Sequence, residues 1–147
     1  MDKVLPPGIH DCTMDEVEAM FGRFQRSDRR IHLSKRLRSF IDDARQSGIV
    51  AAVIVDGSYV TAKQEPDDVD LIVVLRGDFD LSQELRPFEY NIRSRRMVKQ
   101  LYHFDVFVDV EGSESYASHV RFFARVKPDD PAQDTDKSSK GLLRVKL

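Results

Sequence analysis

The chain has 147 residues, enough for one domain with a real core and too few for two of ordinary size. Charged residues make up 33% of it but cancel to a net charge of -2, so no global field draws it to nucleic acid or to an anionic membrane, and any polyanion site must be local. No stretch approaches the roughly 20 apolar residues that cross a bilayer, Cys12 alone makes neither an internal disulfide nor a zinc site, and Met-Asp-Lys-Val at the start lacks a signal peptide's apolar core, so a soluble, cytoplasmic protein with no membrane partner is expected.

In chain order, LPPGIHDC reads as an extended arm over residues 1–12, because Pro6 and Pro7 disfavour helix and Gly8 supplies a turn. Thr13 and Glu16 have capping-box spacing, and Met14, Val17, Met20 and Phe21 recur at helical intervals, which predicts a short helix ending near Gly22. A second helix follows, capped by Ser27 or Asp28, with Ile31, Leu33, Leu37, Phe40, Ile41 and Ala44 on its apolar face and Gly48 as its stop. The pattern then changes to a continuous apolar run, Ile49 to Val55, which predicts a buried strand ended by Asp56-Gly57-Ser58. After a polar loop with Pro66 comes DVDLIVVL, a second buried strand over Leu71 to Leu75 with Asp68 and Asp70 at its start. Leu81 to Gln100 reads as helical in part and broken near Pro87, and HFDVFVDV from His103 to Val110 is a third strand. Ser115 to Val126 predicts a helix burying Val120, Phe122 and Phe123, residues 127–141 a flexible polar loop, and LLRVKL an edge strand. Residues 1–147 thus read as a single domain of α/β (α+β) class, without internal repeats.

The chemistry gathers where strands meet loops, which is where open α/β sheets place ligands. Gly57 lets the backbone come close to a ligand and Ser58 adds a hydroxyl, a combination suited to phosphate. Asp68 and Asp70 are two apart at a strand start, so the strand's period of two turns both carboxylates to one face. Asp105, in a similar setting on the third strand, joins them if the two strands pair; Asp109 shares its face and is the rival third acid, with Asp105 preferred because it lies nearer the strand's start. Carboxylates gathered in one site stay ionised only beside a counterion, and Mg²⁺ takes carboxylate and phosphate oxygens readily. Metal-assisted phosphoryl transfer follows, with Asp68, Asp70 and Asp105 as metal ligands, Asp105 also placed to take a proton, and Lys63 as the nearest cation for the phosphates.

These residues resemble a known family. VIVDGSYVTAKQEPDDVDLIVVL is similar to the signature of the nucleotidyltransferase superfamily, in which a Gly-Ser pair opens a helix and an Asp-x-Asp follows about ten residues later on the next strand; its third acid matches Asp105 in HFDVFV. Over nearly its full length the chain also resembles small, uncharacterised bacterial nucleotidyltransferase-like proteins with similar LPPGIHD, GSYVTAK and KGLLRVKL segments. The resemblance implies the nucleotidyltransferase fold, a small mixed β-sheet flanked by helices. It also implies an NTP–Mg²⁺ site, with ATP as the first-choice nucleotide, and transfer of a nucleotidyl group to a protein, an RNA or a small-molecule hydroxyl. One departure stands out: where many active members carry Arg-Gly shortly after Gly-Ser, this chain has Thr61-Ala62-Lys63. Its small size is similar to that of the superfamily's antitoxins, which implies a second function: a catalytically weak or silent antitoxin or adaptor that binds a protein partner such as a toxin. The docking surface expected for that role is the Ile31 to Ala44 helix face.

Other features admit plainer readings. Arg93, Arg95, Arg96 and Lys99 suit an RNA or a triphosphate, or simply a solvated helix face, and the same holds for Arg29, Arg30, Lys35, Arg36 and Arg38. His103 shares a strand face with Asp105, but His10, His32, His103 and His119 have no metal-ligand spacing, and Cys12 reads as an inert thiol.

Overall fold

The computed structural model describes residues 8–22, 28–56, 69–80, 82, 84–124 and 141–147. Among these, five strands and five helices form a mixed α/β fold: β1 (Gly8–Cys12), α1 (Met14–Val17), α2 (Asp28–Ser47), β2 (Val50–Asp56), β3 (Asp70–Leu75), α3 (Pro87–Arg93), α4 (Arg95–Tyr102), β4 (Asp105–Val110), α5 (Glu114–Phe123) and β5 (Gly141–Lys146). The strands make one sheet in the order β1-β5-β2-β3-β4. β1 runs parallel to β5 and β3 to β4, while β2 is antiparallel to both β5 and β3. Among the described residues no helix is long and apolar enough to cross a membrane.

The larger core lies on one face of the sheet. Leu33, Leu37, Phe40, Ile41 and Ala44 of α2 pack there on Val53, Val55, Leu71, Val73 and Val106, joined by Met14, Val17 and Phe21 from the first helical segment. The opposite face carries, among the described residues, α5 over a smaller cluster of Ala52, Ile54, Ile72, Val74, Leu142 and Phe123. Helices on both sides explain why β2 and β3 read as unbroken apolar runs: neither face of these strands is left to water.

Local chemistry sets the helix ends. Thr13 and Glu16 close the expected capping box, each side chain bonded to the other's backbone N–H. α1 is short, however, and passes into a π turn over Glu18–Gly22. Pro87 occupies the first turn of α3 instead of breaking a helix; the missing N–H costs nothing there. The break falls at Ser94, whose hydroxyl accepts from Met97 N–H and starts α4.

Several expectations change. Gly8–Cys12, expected within an extended arm, is a paired strand, and β5, expected at an edge, is internal because β1 covers its outer side. His103 does not belong to the third strand; it caps α4 in the left-handed conformation, φ 64°, with its N–H on the Lys99 carbonyl. In α5, Phe123 is buried but Phe122 is 58% exposed. Of the loop expected over 127–141, Gly141 begins β5 and the rest lies outside the described residues.

Candidate functional site

Strand register brings three acids into one row. Antiparallel pairing sets Asp56 of β2 opposite Asp70 of β3, and parallel pairing sets Asp70 opposite Asp105 of β4. Residues paired across a sheet share a face, and the alternation of two puts this row on the α5 side, in line with Ile54, Ile72 and Phe107. Exposure rises along it: Asp56 is buried, Asp70 half-buried and the Asp105 side chain 74% exposed. At the ~5 Å spacing of neighbouring strands, two ionised carboxylates would repel by about 3 kcal/mol at an effective dielectric near 20. A row of this kind favours a cation.

Of the expected site residues, the structure pairs Asp70 with Asp105 in register, whereas Gly57, Ser58, Lys63 and Asp68 lie outside the described residues. Among the described residues no group of three or more His, Cys, Asp or Glu stands ready to hold a metal ion. Asp105 instead meets Lys99, with Nζ 3.2 Å from Oδ1. Asp56 was not legible as a site residue, since its place at the end of an apolar run marks only a strand end until the partner strand is known.

The rival acid Asp109 has a different surrounding. It is buried, accepts from Ser115 Oγ at 2.5 Å, and lies 2.6 Å from His119 Nδ1. Both partners belong to α5, so Asp109 fastens that helix to the edge strand. His119 stacks on Phe107 with centroids 4.0 Å apart, and the Arg95 guanidinium lies over the same ring at 5.0 Å. Arg93 lies 5.9 Å over Tyr90. These two arginines line a groove of about 510 Å³ together with Tyr90, Asp109, Ser113 and Ser115.

Other sequence features prove structural. The apolar face of α2, expected as a docking surface, is spent on the sheet: Leu33, Leu37, Phe40, Ile41 and Ala44 are all buried in the molecule's own core. Arg38 spans Asp15 and Glu18, and the buried Arg30 donates to the Phe21 carbonyl, so both tie α2 to the first helical segment. Burial pushes the Cys12 thiol up to about 11, consistent with an inert thiol.

A family model described as a family of unknown function (DUF6932) matches residues 1–146. No curated protein and no solved structure matches the chain.

Proposed function

We propose, on the premise that the chain belongs to the DUF6932 family of unknown function, that it is a Mg²⁺-dependent nucleotidyltransferase-type protein with a nucleotidyltransferase fold. The observation that supports this reading most is the in-register row Asp56–Asp70–Asp105 at one end of the sheet. Within it Asp70 and Asp105 offer hard carboxylate oxygens, the kind that Mg²⁺ prefers, and Asp68, two residues before Asp70 in the chain, adds a third carboxylate to the proposed set. When bound, the ion supplies charge neutralisation for the triphosphate and the leaving pyrophosphate.

In this reading Asp68, Asp70 and Asp105 hold the metal, and Asp105, the most exposed of the row, also accepts a proton from the acceptor hydroxyl. Gly57, which follows Asp56 directly in the chain, and Ser58 take the triphosphate through backbone and hydroxyl, with Lys63 as its cation. ATP is the first nucleotide to test. The antitoxin or adaptor reading draws less support, because the helix face it relied on is buried.

Calorimetric titration of ATP, GTP, CTP and UTP, with and without Mg²⁺, tests the proposal. Magnesium-dependent binding by the wild type that disappears in Asp70→Ala, with the fold intact by circular dichroism, is the expected result. Failure of all four nucleotides to bind, or undiminished binding by the variant, would overturn it.

A further inference from the structure

We propose that the open edge of β4 is a track for a single-stranded nucleic acid, and that this strand is the acceptor whose end reaches the carboxylate row. The acceptor role rests on the function proposed above; the binding does not.

β4 is the last strand of the sheet order, so one side of its backbone has no neighbouring strand among the described residues. α4 runs back along it from the opposite face, and its cations, with Arg93 from the end of α3, reach round that edge in sequence. Lys99 meets Asp105 at 3.2 Å, Arg95 lies over Phe107, and Arg93 with Arg95 lines the groove beside Val108, Asp109 and Val110. The cations therefore follow β4 from the carboxylate end to the groove, a path of about 17 Å for the ~3.3 Å steps between its six residues.

Arg93 and Arg95 differ from Arg38 and Arg45 of α2, which are paired with carboxylates. Among the described residues neither is paired with a carboxylate; each guanidinium is held over an aromatic ring, which orients it without neutralising it. Asp109 is the acid that lines the groove, and its two oxygens are engaged by Ser115 and His119. Two oriented, uncompensated guanidinium groups in a concavity suit an anion that offers paired oxygens to their N–H forks, such as a phosphodiester with its two non-bridging oxygens. Tyr90, 42% exposed on the same rim, adds a ring on which a base can stack. A volume of about 510 Å³ has room for roughly one or two nucleotides, so a single strand fits and a paired helix does not. With its end at Asp105, the strand's terminal hydroxyl oxygen bonds to the α-phosphorus of the triphosphate. The bond from that phosphorus to the bridging oxygen of pyrophosphate breaks, pyrophosphate leaves with the electron pair, and the hydroxyl proton passes to Asp105.

The test is fluorescence anisotropy of a short labelled single-stranded RNA of mixed sequence, without nucleotide or metal. The expected result is binding at low salt that weakens about 20-fold when salt rises fourfold, the response for three neutralised phosphates on a single strand. Arg93→Glu/Arg95→Glu should lose more than about tenfold in affinity, the surface-preserving Arg93→Gln/Arg95→Gln should lose less in the same direction, and Arg45→Gln, on α2, should bind as the wild type does. No binding by the wild type, equal binding by the charge-reversed variant, or stronger binding of a duplex would overturn the track and leave the arginines as protection for a strand edge. Displacement of the RNA by a poly-glutamate peptide at equal charge concentration would overturn it in favour of an acidic protein partner. RNA binding in a chain that binds no nucleotide refutes the acceptor role through the function above, whereas nucleotide binding without RNA binding refutes the track alone.

Discussion

Replacing Asp109 and Asp105 by alanine, one at a time, should separate two acids that share a strand face and lie four residues apart. Asp109 is buried and holds α5 through Ser115 at 2.5 Å and His119 at 2.6 Å. Hydrogen bonds to a charged partner are worth about 1.5–3 kcal/mol each. Ser115 is exposed and can turn to water, so the expected loss for Asp109→Ala is about 2–4 kcal/mol in total. For a domain of this size that lowers the melting temperature by roughly 4–16 °C. Asp105 makes a surface ion pair with Lys99, its side chain 74% exposed, and such pairs contribute about 0–1 kcal/mol. Asp105→Ala should therefore melt within about 4 °C of the wild type while losing nucleotidyl transfer. Differential scanning calorimetry of both variants at neutral pH, beside a labelled-nucleotide transfer assay, reads both effects. The reasoning fails if Asp109→Ala melts with the wild type, or if Asp105→Ala costs as much stability as Asp109→Ala.

Three further outcomes follow from the packing. The Arg144 guanidinium, bonded to Asp11 across β1 and β5, holds that carboxyl below the ordinary aspartate range, so the pair stabilises the fold above the unfolded-state pKa of ~3.9 and the benefit is lost as pH falls through the lower folded value. Thermal melts of wild type and Asp11→Asn should differ at neutral pH and converge in acid; a gap that persists or widens in acid would contradict this. Phe40, fully buried and edge-on to Tyr102 and Phe104 at 5.0 and 6.5 Å, should cost about 3–5 kcal/mol as Phe40→Ala, checked by urea denaturation. Thr13→Ala opens the capping box ahead of α1 and should cost about 1 kcal/mol in the same assay, with Thr13→Ser close to wild type.

Elements defined by local pattern were legible in the sequence. α2 and the strands β2 to β4 emerge within a residue or two of where periodicity and apolar runs put them, because their cores are continuous in the chain. Pairings between distant segments were not. Nothing in GIHDC announces a parallel partner some 130 residues away, so β1 read as an arm and β5 as an edge. Pro87 read as a break, whereas proline is equally suited to a helix's first turn, and the break falls instead at the Ser94 cap. The candidate site divides the same way. Asp70 and Asp105 stood out because each opens a strand, whereas Asp56 closes one and joins them only through antiparallel register. Asp109 differed from the preferred Asp105 in sequence only by lying farther from the strand's start; its distinct surrounding comes from α5, which folds back over it with Ser115 and His119.

The internal position of β5 bears on synthesis. A ribosome delivers β2, β3 and β4 long before Gly141–Lys146 leave the exit channel, so until then β2 has one unoccupied edge and β1 has no strand to join. The half-built sheet exposes a hydrogen-bonding edge beside Val53 and Val55, the kind of surface that recruits strands from other chains. Closure must wait for the last strand to insert between two earlier ones, a step of high contact order that makes folding late and truncation before Gly141 more damaging than the few residues removed would suggest.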